Sequence, residues 1–444
     1  MSKTIKLSKG LEIRLQGEAV RELTELPLAA EYAVSPLDVE GVTPKMLVKV
    51  GDTVEAGSAL FFDKNNPKVV FTSPVSGTVA AVNRGEKRRI LSVVVAADKN
   101  ISYKEFAKLD VETASREEIV NLLLESGLWT LLVQRPYGII ANPADEPKAV
   151  FVSAFDSAPL APDYDFVLAD AQKELQKGFE VLARLTSGKV HLSYSTEQEA
   201  PQVEGVELHA FKGKHPAGNV GVQIHHIDPI NKGEKVWTAN IQDVAIIGRL
   251  FLTGKVDMTR VVAVAGASVA QPRYCRIVAG APAASLYEAT AENVRVISGN
   301  VLTGRNIGKE GFIGYNANAL TVIPEGDNYE LLGWAMPRFK KFSVSRAYFS
   351  WLFPCRKYNL DTNLNGEERA FVVTGLYEKY LPMDIYPMHL LKAILAGDID
   401  KMENLGIYEV VEEDFALCEF VDPSKTEMQQ IIRNGINLMI KEGE

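Results

Sequence analysis

Residues 50–79, "VGDTVEAGSALFFDKNNPKVVFTSPVSGTV", decide how the chain begins to fold. Valine-rich runs alternate with small polar residues, the pattern of half-buried strands. Gly51, Gly57, Gly77 and, just beyond, Gly85 punctuate them, where a residue without Cβ can take positive φ at no steric cost. Widened slightly, the stretch becomes two related halves, "TPKMLVKVGDTVEAGSALF" and "FTSPVSGTVAAVNRGEKRRILSVVVAA". Each half sets a strand beside a Gly-centred turn, which predicts a barrel-sandwich hybrid to about Ala97. The cluster Arg84, Lys87, Arg88 and Arg89 reads as the solvated face of one hairpin.

Beyond Ser102 the pattern changes to helices alternating with buried strands. "SREEIVNLLLESGL" offers Ser115 as an N-cap, acids in the first turn and apolar residues at helical spacing. "KAVFVSAF" predicts a buried strand, "DAQKELQKGFEVLARLTSG" a helix ending at Gly188 and "KVHLSYS" the next strand, so this segment is a Rossmann-like parallel α/β unit. "RVVAVAGASVAQPRYCRIVAGAPAASLYE" and "ENVRVISGNVLTG" return to strands and predict a small β-grasp domain of the soluble-ligand-binding kind. "PMHLLKAILAGDIDKMENLG" and "KTEMQQIIRNGINLMIKEGE" carry apolar residues three and four apart and predict a helical C-terminal domain. The expected division is residues 1–100, 101–256, 257–328 and 329–444, an α/β and β multidomain chain.

Bulk properties narrow the function. A chain of 444 residues exceeds a single core, and its 46% hydrophobic content suits a well-packed protein. No run approaches the ~18 apolar residues that span a bilayer, and "MSKTIKLSKGLEIRL" lacks the apolar core of a secretory signal. Cys275, Cys355 and Cys418 are far apart and odd in number, which argues for a reducing, cytoplasmic setting. A net charge of −9 repels nucleic-acid backbones.

The four segments, in this order, resemble the A-subunit of the bacterial sodium-translocating NADH:quinone oxidoreductase. The likeness runs along essentially the whole chain and is most specific in "SPLDVEGVTPKMLVKVGDTVEAGSALFFDKNNPKVVFTSPVSGTVAAVNRGEKRR" and "KGKHPAGNVGVQIHHIDPI". More distantly the domain order is similar to the C-subunit of the Rnf electron-transport complex and to the flavin- and NADH-binding subunit of complex I. The resemblance implies a peripheral subunit, on the cytoplasmic face of the bacterial inner membrane, of a six-subunit translocase that passes electrons from NADH to quinone and expels sodium. It implies contact with a membrane subunit, with quinone as a candidate ligand, and FMN, FAD and 2Fe-2S centres in partner subunits rather than here.

Residues that would carry redox chemistry are replaced. In the redox-active relatives glycines follow an "SGL"-like helix end, because backbone N–H groups approach a phosphate closely only where side chains are absent. Here "ESGL" is followed by Trp129, Thr130, Leu131 and Leu132. An iron–sulfur cluster needs four thiolates, yet "VVEEDFALCEFVDPS" keeps only Cys418, with Asp422 before Pro423. The hairpin at 50–79 also resembles lipoyl and biotinyl carriers, whose modified lysine sits about ten or eleven residues before the glycine of the next turn. Lys64 lies two residues too far from Gly77 and Lys68 too close, and Asn65, Asn66 and Pro67 widen the tip. A stand-alone nucleotide-binding α/β enzyme and a swinging-arm carrier are the rival readings. Tight NADH binding would mark the first, and a lysine adduct in the intact mass the second.

Two stretches remain, each either structural (satisfied histidines in the first, core aromatics with solvated cations in the second) or a partner or ligand contact. His215, Asn219, His225, His226 and Asp228 form a polar cluster; on a strand the adjacent histidines would face opposite ways, so no metal site is expected there. Between Glu330 and Asp361 there is no acid, while Arg338, Lys340, Lys341 and Arg346 mix with Trp351 and other aromatics, a composition suited to anionic lipid or a membrane-embedded partner. Within it "FKKFSVS" alternates like a half-buried strand. The sequence singles out no catalytic, cofactor-binding or metal-binding residue.

Overall fold

The structure, a computed structural model, describes residues 4–443 except 328, 329, 337, 340, 373 and 374. Residues 50–79 feed two small sheets that close on one another. One sheet runs Glu31–Val34, Ile90–Ala97, Gly77–Arg84, Thr53–Val54, and the other Pro44–Met46, Ala59–Asp63, Val70–Thr72. Leu60, Phe61, Phe71, Val79, Val93 and Val95 fill the space between them, with the rings of Phe61 and Phe71 stacked 4.7 Å apart. This is the barrel-sandwich hybrid expected from the alternation. At the tip between the last two strands of the second sheet, the Asp63 carboxylate accepts from the N–H groups of Thr43 (2.9 Å) and Asn65 (3.2 Å), and Lys64 and Lys68 are exposed.

The second segment builds a seven-stranded sheet in the order Thr4–Lys6, Glu207–Lys212, Lys189–Ser195, Ala149–Ser153, Val236–Asn240, Val133–Arg135, Ile139–Ile140. The first five pair in parallel and the last two antiparallel. The first 25 residues are shared out: Thr4–Lys6 extends this sheet, while Val20–Glu25 pairs with Arg273–Val278 in the next. Helix Arg116–Glu125 opens on a full capping box, Ser115 Oγ accepting from Glu118 N (3.3 Å) and the Glu118 carboxylate accepting from Ser115 N (2.8 Å). Helices Gln172–Leu185 and Ile241–Thr253 pack closely on one another and cross through glycines. A Cβ on Gly178 would stand 2.0 Å from the Val244 carbonyl oxygen, and one on Gly248 would stand 1.8 Å from that of Glu174.

The third segment is a six-stranded sheet containing Thr259–Ala265, Arg273–Val278, Val294–Ser298 and Ala319–Pro324. The C-terminal part packs helices Pro387–Leu395, Ile399–Asn404, Glu412–Val421 and Met428–Gly443 around Met388, Leu391, Phe415, Ile432 and Ile436. No helix among the described residues is long and apolar enough to cross a membrane.

Two local expectations fail. The described residues of Phe339–Ser345 form no strand. They fold back instead, Phe339 stacking on Phe349 at 5.0 Å and Ser343 N donating to Ser350 Oγ at 3.1 Å, so the alternation finds no sheet edge to pair with. His225 and His226 lie on helix Val220–Ile227, not on a strand, so they do not point to opposite faces. Their rings meet edge to face, 5.1 Å apart.

Candidate functional site

Leaving Ala149–Ser153, the chain lays Lys189–Ser195 and then Glu207–Lys212 on one side, and returns through helix Val220–Ile227 to place Val236–Asn240 on the other. The strand order therefore reverses between Ala149–Ser153 and Val236–Asn240. In open α/β sheets the crevice beyond the carboxyl ends at such a reversal is where ligands bind. A cavity of about 300 Å³ lies there, between Ser153, Asp156, His215, Asn219 and Asn240. Loops of the β-grasp sheet close it with Asn300, Leu302 and Asn316, and the C-terminal helices contribute Glu413.

His215 is buried in this wall. Ser157 Oγ accepts from Gly218 N at 2.8 Å and lies 3.1 Å from His215 Nδ1. Burial lowers the His215 pKa to about 4, so the ring is neutral at pH 7. The serine hydroxyl and Nδ1 share one proton, the direction set by which ring nitrogen carries the hydrogen. Burial also raises the Asp156 carboxyl, against a hydrogen bond from Ala158 N at 2.8 Å. Burial lifts Glu413 to about 7, opposed by the guanidinium of Arg135 and reinforced by Asp414 and Asp156. Asp243 also reaches the wall and is paired with buried Arg260. Among the described lining residues none is Lys or Arg. The polar groups of the wall are thus carboxylates, amides, hydroxyls and a neutral imidazole, set among apolar side chains such as Leu131, Phe155 and Leu302, which gives a phosphate no countercharge.

The position expected to hold a glycine loop is occupied by side chains. After Gly127, which takes φ +77°, a short turn Leu128–Leu131 is buried throughout. Trp129 is fully buried, donates from Nε1 to the Ala141 carbonyl at 2.7 Å, and packs edge to face with Trp237 at 5.3 Å. Cys418 sits in the core of the C-terminal helices, its thiol pushed far up by burial, while Cys275 is packed in a different cluster and Cys355 is exposed. Asp422 accepts from Tyr377 Oη (2.7 Å) and Ser424 N (2.9 Å), so it organises a turn.

The cluster read from "KHPAGNVGVQIHHIDPI" is only partly brought together. His215 and Asn219 line the cavity. His225 faces the C-terminal domain, accepting at Nε2 from Asp384 N (3.0 Å) and presenting Nδ1 to Glu409 (2.7 Å). His226 Nε2 donates to the Pro382 carbonyl (2.8 Å), and Asp228 pairs with Lys148 (2.8 Å). The two histidines thereby join the second segment to the fourth. In the basic, aromatic stretch, Glu330 itself pairs with Arg338 (2.6 Å) and Lys341 (3.0 Å). Arg346 lies over the Trp351 ring, 5.8 Å from its centroid. Leu331, Met336, Phe339, Trp351 and Leu352 are exposed around them, and Lys340 lies outside the described residues. Sequence reasoning missed Asp156, Ser157 and Glu413, and it missed His191, Glu207 and His209. A carboxylate gives no local signal, and the last three come together only through strand pairing.

Three family profiles match along the chain: "NqrA N-terminal barrel-sandwich hybrid domain" over residues 5–98, "NqrA second alpha/beta domain" over 114–256, and "NQRA C-terminal domain" over 261–309. The A-subunit of the Na(+)-translocating NADH-quinone reductase of Neisseria meningitidis serogroup A is 40% identical over 446 residues, covering 99% of this chain and 100% of that one. The proteins of the same name from Hahella chejuensis (40%) and Yersinia pestis bv. Antiqua (39%) align over the same shares.

Proposed function

Since this chain belongs to the A-subunit family of the Na(+)-translocating NADH-quinone reductase, we propose that it serves that translocase as a peripheral subunit without a redox centre of its own. In this reading it lies on the cytoplasmic face of the inner membrane, docks a membrane subunit of the six-subunit complex, and leaves FMN, FAD and 2Fe-2S to its partners. The carrying observation is the switch-point wall. Buried Leu128, Trp129 and Leu131 fill the place of a phosphate loop, and the adjoining cavity faces its ligand with Asp156 and Glu413 and no cation among the described lining residues. A nucleotide's phosphates would find no countercharge among them.

Docking is assigned to the stretch from Leu331 to Leu360, where exposed Trp351, Phe339 and Leu352 are interleaved with Lys341 and Arg346. Aromatic and cationic side chains side by side suit a membrane-embedded partner and its anionic lipid. The same apolar surface is where this reading places contact with a quinone. The test is purification of the assembled complex from detergent-solubilised membranes. The triple variant Lys341→Ala, Arg346→Ala, Trp351→Ala should fold yet be lost from the complex, and the isolated chain should lack visible absorbance. A stoichiometric flavin spectrum in the isolated chain would overturn the first part of the reading, and full retention of the variant the second.

A further inference from the structure

Away from the cavity, two parallel strands, Lys189–Ser195 and Glu207–Lys212, gather three residues of metal-ligating type. His191 stands directly opposite Glu207, and His209 is two residues further along, so all three side chains share one face of the sheet. Their ligand atoms all lie within 4.8 Å of one another. His191 Nδ1 is 2.9 Å from His209 Nε2 and 3.6 Å from Glu207 Oε2. A tetrahedral ion about 2.0–2.1 Å from nitrogen and oxygen ligands holds them roughly 3.3 Å apart. The two distances from His191 bracket that value and the third, His209 to Glu207, is within 4.8 Å, so modest side-chain rotation of the more exposed Glu207 and His209 would close the set around an ion.

The surroundings hold the ligands ready. The His191 ring is buried and stacked on Phe151, with centroids 4.6 Å apart and planes 22° from parallel, which fixes its aim. The Lys189 ammonium takes Glu207 Oε1, leaving Oε2 turned toward the imidazoles. Burial keeps both rings neutral at pH 7, lowering the His191 pKa to about 4. The charged groups facing His191 are Glu207, Asp228 and Lys189. At present one ring N–H must lie between the two imidazoles; a metal needs both lone pairs, and that proton moves to the other nitrogen of its own ring with none released.

We propose that His191 Nδ1, His209 Nε2 and Glu207 Oε2 form a binding site for a divalent transition-metal cation of the zinc class, with a fourth position open to water beside exposed Glu207. Two imidazoles and one carboxylate favour zinc or cobalt over the all-oxygen preference of magnesium and calcium. The site is independent of the subunit's place in the translocase.

The test uses the full-length, tag-free chain titrated with Zn²⁺ by calorimetry and with Co²⁺ by visible absorption. One equivalent should bind, with the intense absorption of four-coordinate cobalt and a rise in Tm. His209→Gln and the more exposed Glu207→Gln should each weaken binding at least about tenfold. Lys189→Ala, which keeps every ligand, should bind at least as tightly as the unaltered chain. Equal binding by the unaltered chain, His209→Gln and Glu207→Gln would overturn the proposal, as would no binding by the unaltered chain, which would leave a plain hydrogen-bonded pair of histidines. Glu207→Gln keeps the test decisive if His209→Gln does not fold.

Discussion

Replacing Arg135 with Met should expose how the switch-point wall is held. The Arg135 side chain is 3% exposed and bridges Glu413 and, at 2.9 Å, the fully buried Asp414. Both acids stand in the first turn of Glu412–Val421, where Asp414 also accepts from Val411 N at 3.0 Å. The guanidinium therefore joins strand Val133–Arg135 to the C-terminal helices. Removing it strands the fully buried Asp414 in the interior, which costs about 3–5 kcal/mol, while Glu413, its side chain 37% exposed, is screened by water and adds little. Set against a typical stability of about 5–15 kcal/mol, that is a large fraction.

The loss should also depend on pH. A buried carboxyl without its cation has a folded pKa above its unfolded value, so its stability contribution is fully present below the unfolded pKa and is lost as pH rises through the folded one. Glu413 already leans this way, lifted to about 7 with Arg135 in place. Urea unfolding followed by tryptophan fluorescence should show the full deficit at pH 8. By pH 6 the deficit should shrink, by about 1.4 kcal/mol for each pKa unit by which the substitution lifts a buried carboxyl within that window and by less for Glu413, which water screens. Arg135→Met combined with Asp414→Asn should recover much of it. A deficit below about 1 kcal/mol, or one identical at both pH values, would refute the reasoning.

Two further outcomes follow from packing and burial. Gly248→Ala puts a Cβ into the Glu174 carbonyl and must push the two crossing helices apart, costing about 1–3 kcal/mol or more, which thermal melting will register. Histidine-labelled NMR should find the His215 ring neutral from pH 8 down to pH 5, since its pKa lies at about 4, and a ring that titrates near 6.5 would contradict the burial argument.

Much of the fold is legible because it is local. Alternating valines mark the strands around Gly77, and Ser115 with Glu118 marks a helix start that the structure closes from both sides. What stays hidden depends on partners distant in the chain. "FKKFSVS" has a strand's alternation, but strand formation needs an edge, and Phe339 finds Phe349 instead. The strand reading of "VQIHHID" takes the wrong period, and on a helix the two histidines reach toward Glu409 and Pro382, contacts no local pattern encodes. The trio His191, Glu207 and His209 needs the register of two parallel strands, which a sequence gap of 16 to 18 residues does not reveal.

The cavity shows why a ligand cannot be carried over from architecture alone. A reversal of strand order creates a crevice in any doubly wound sheet, whatever lines it. Which ligand it accepts is decided by a few groups, and here they come from three segments: Asp156 and His215 from the α/β sheet, Asn300 and Asn316 from the β-grasp loops, Glu413 from the C-terminal helices. The same groups that close the cavity also hold the segments together, since Glu413 answers Arg135 and Asn219 donates to the Glu413 carbonyl at 3.2 Å. A crevice whose wall is itself an interface between segments is therefore held in shape by the contacts that join them, and a change to Glu413 or Asn219 would be felt in both.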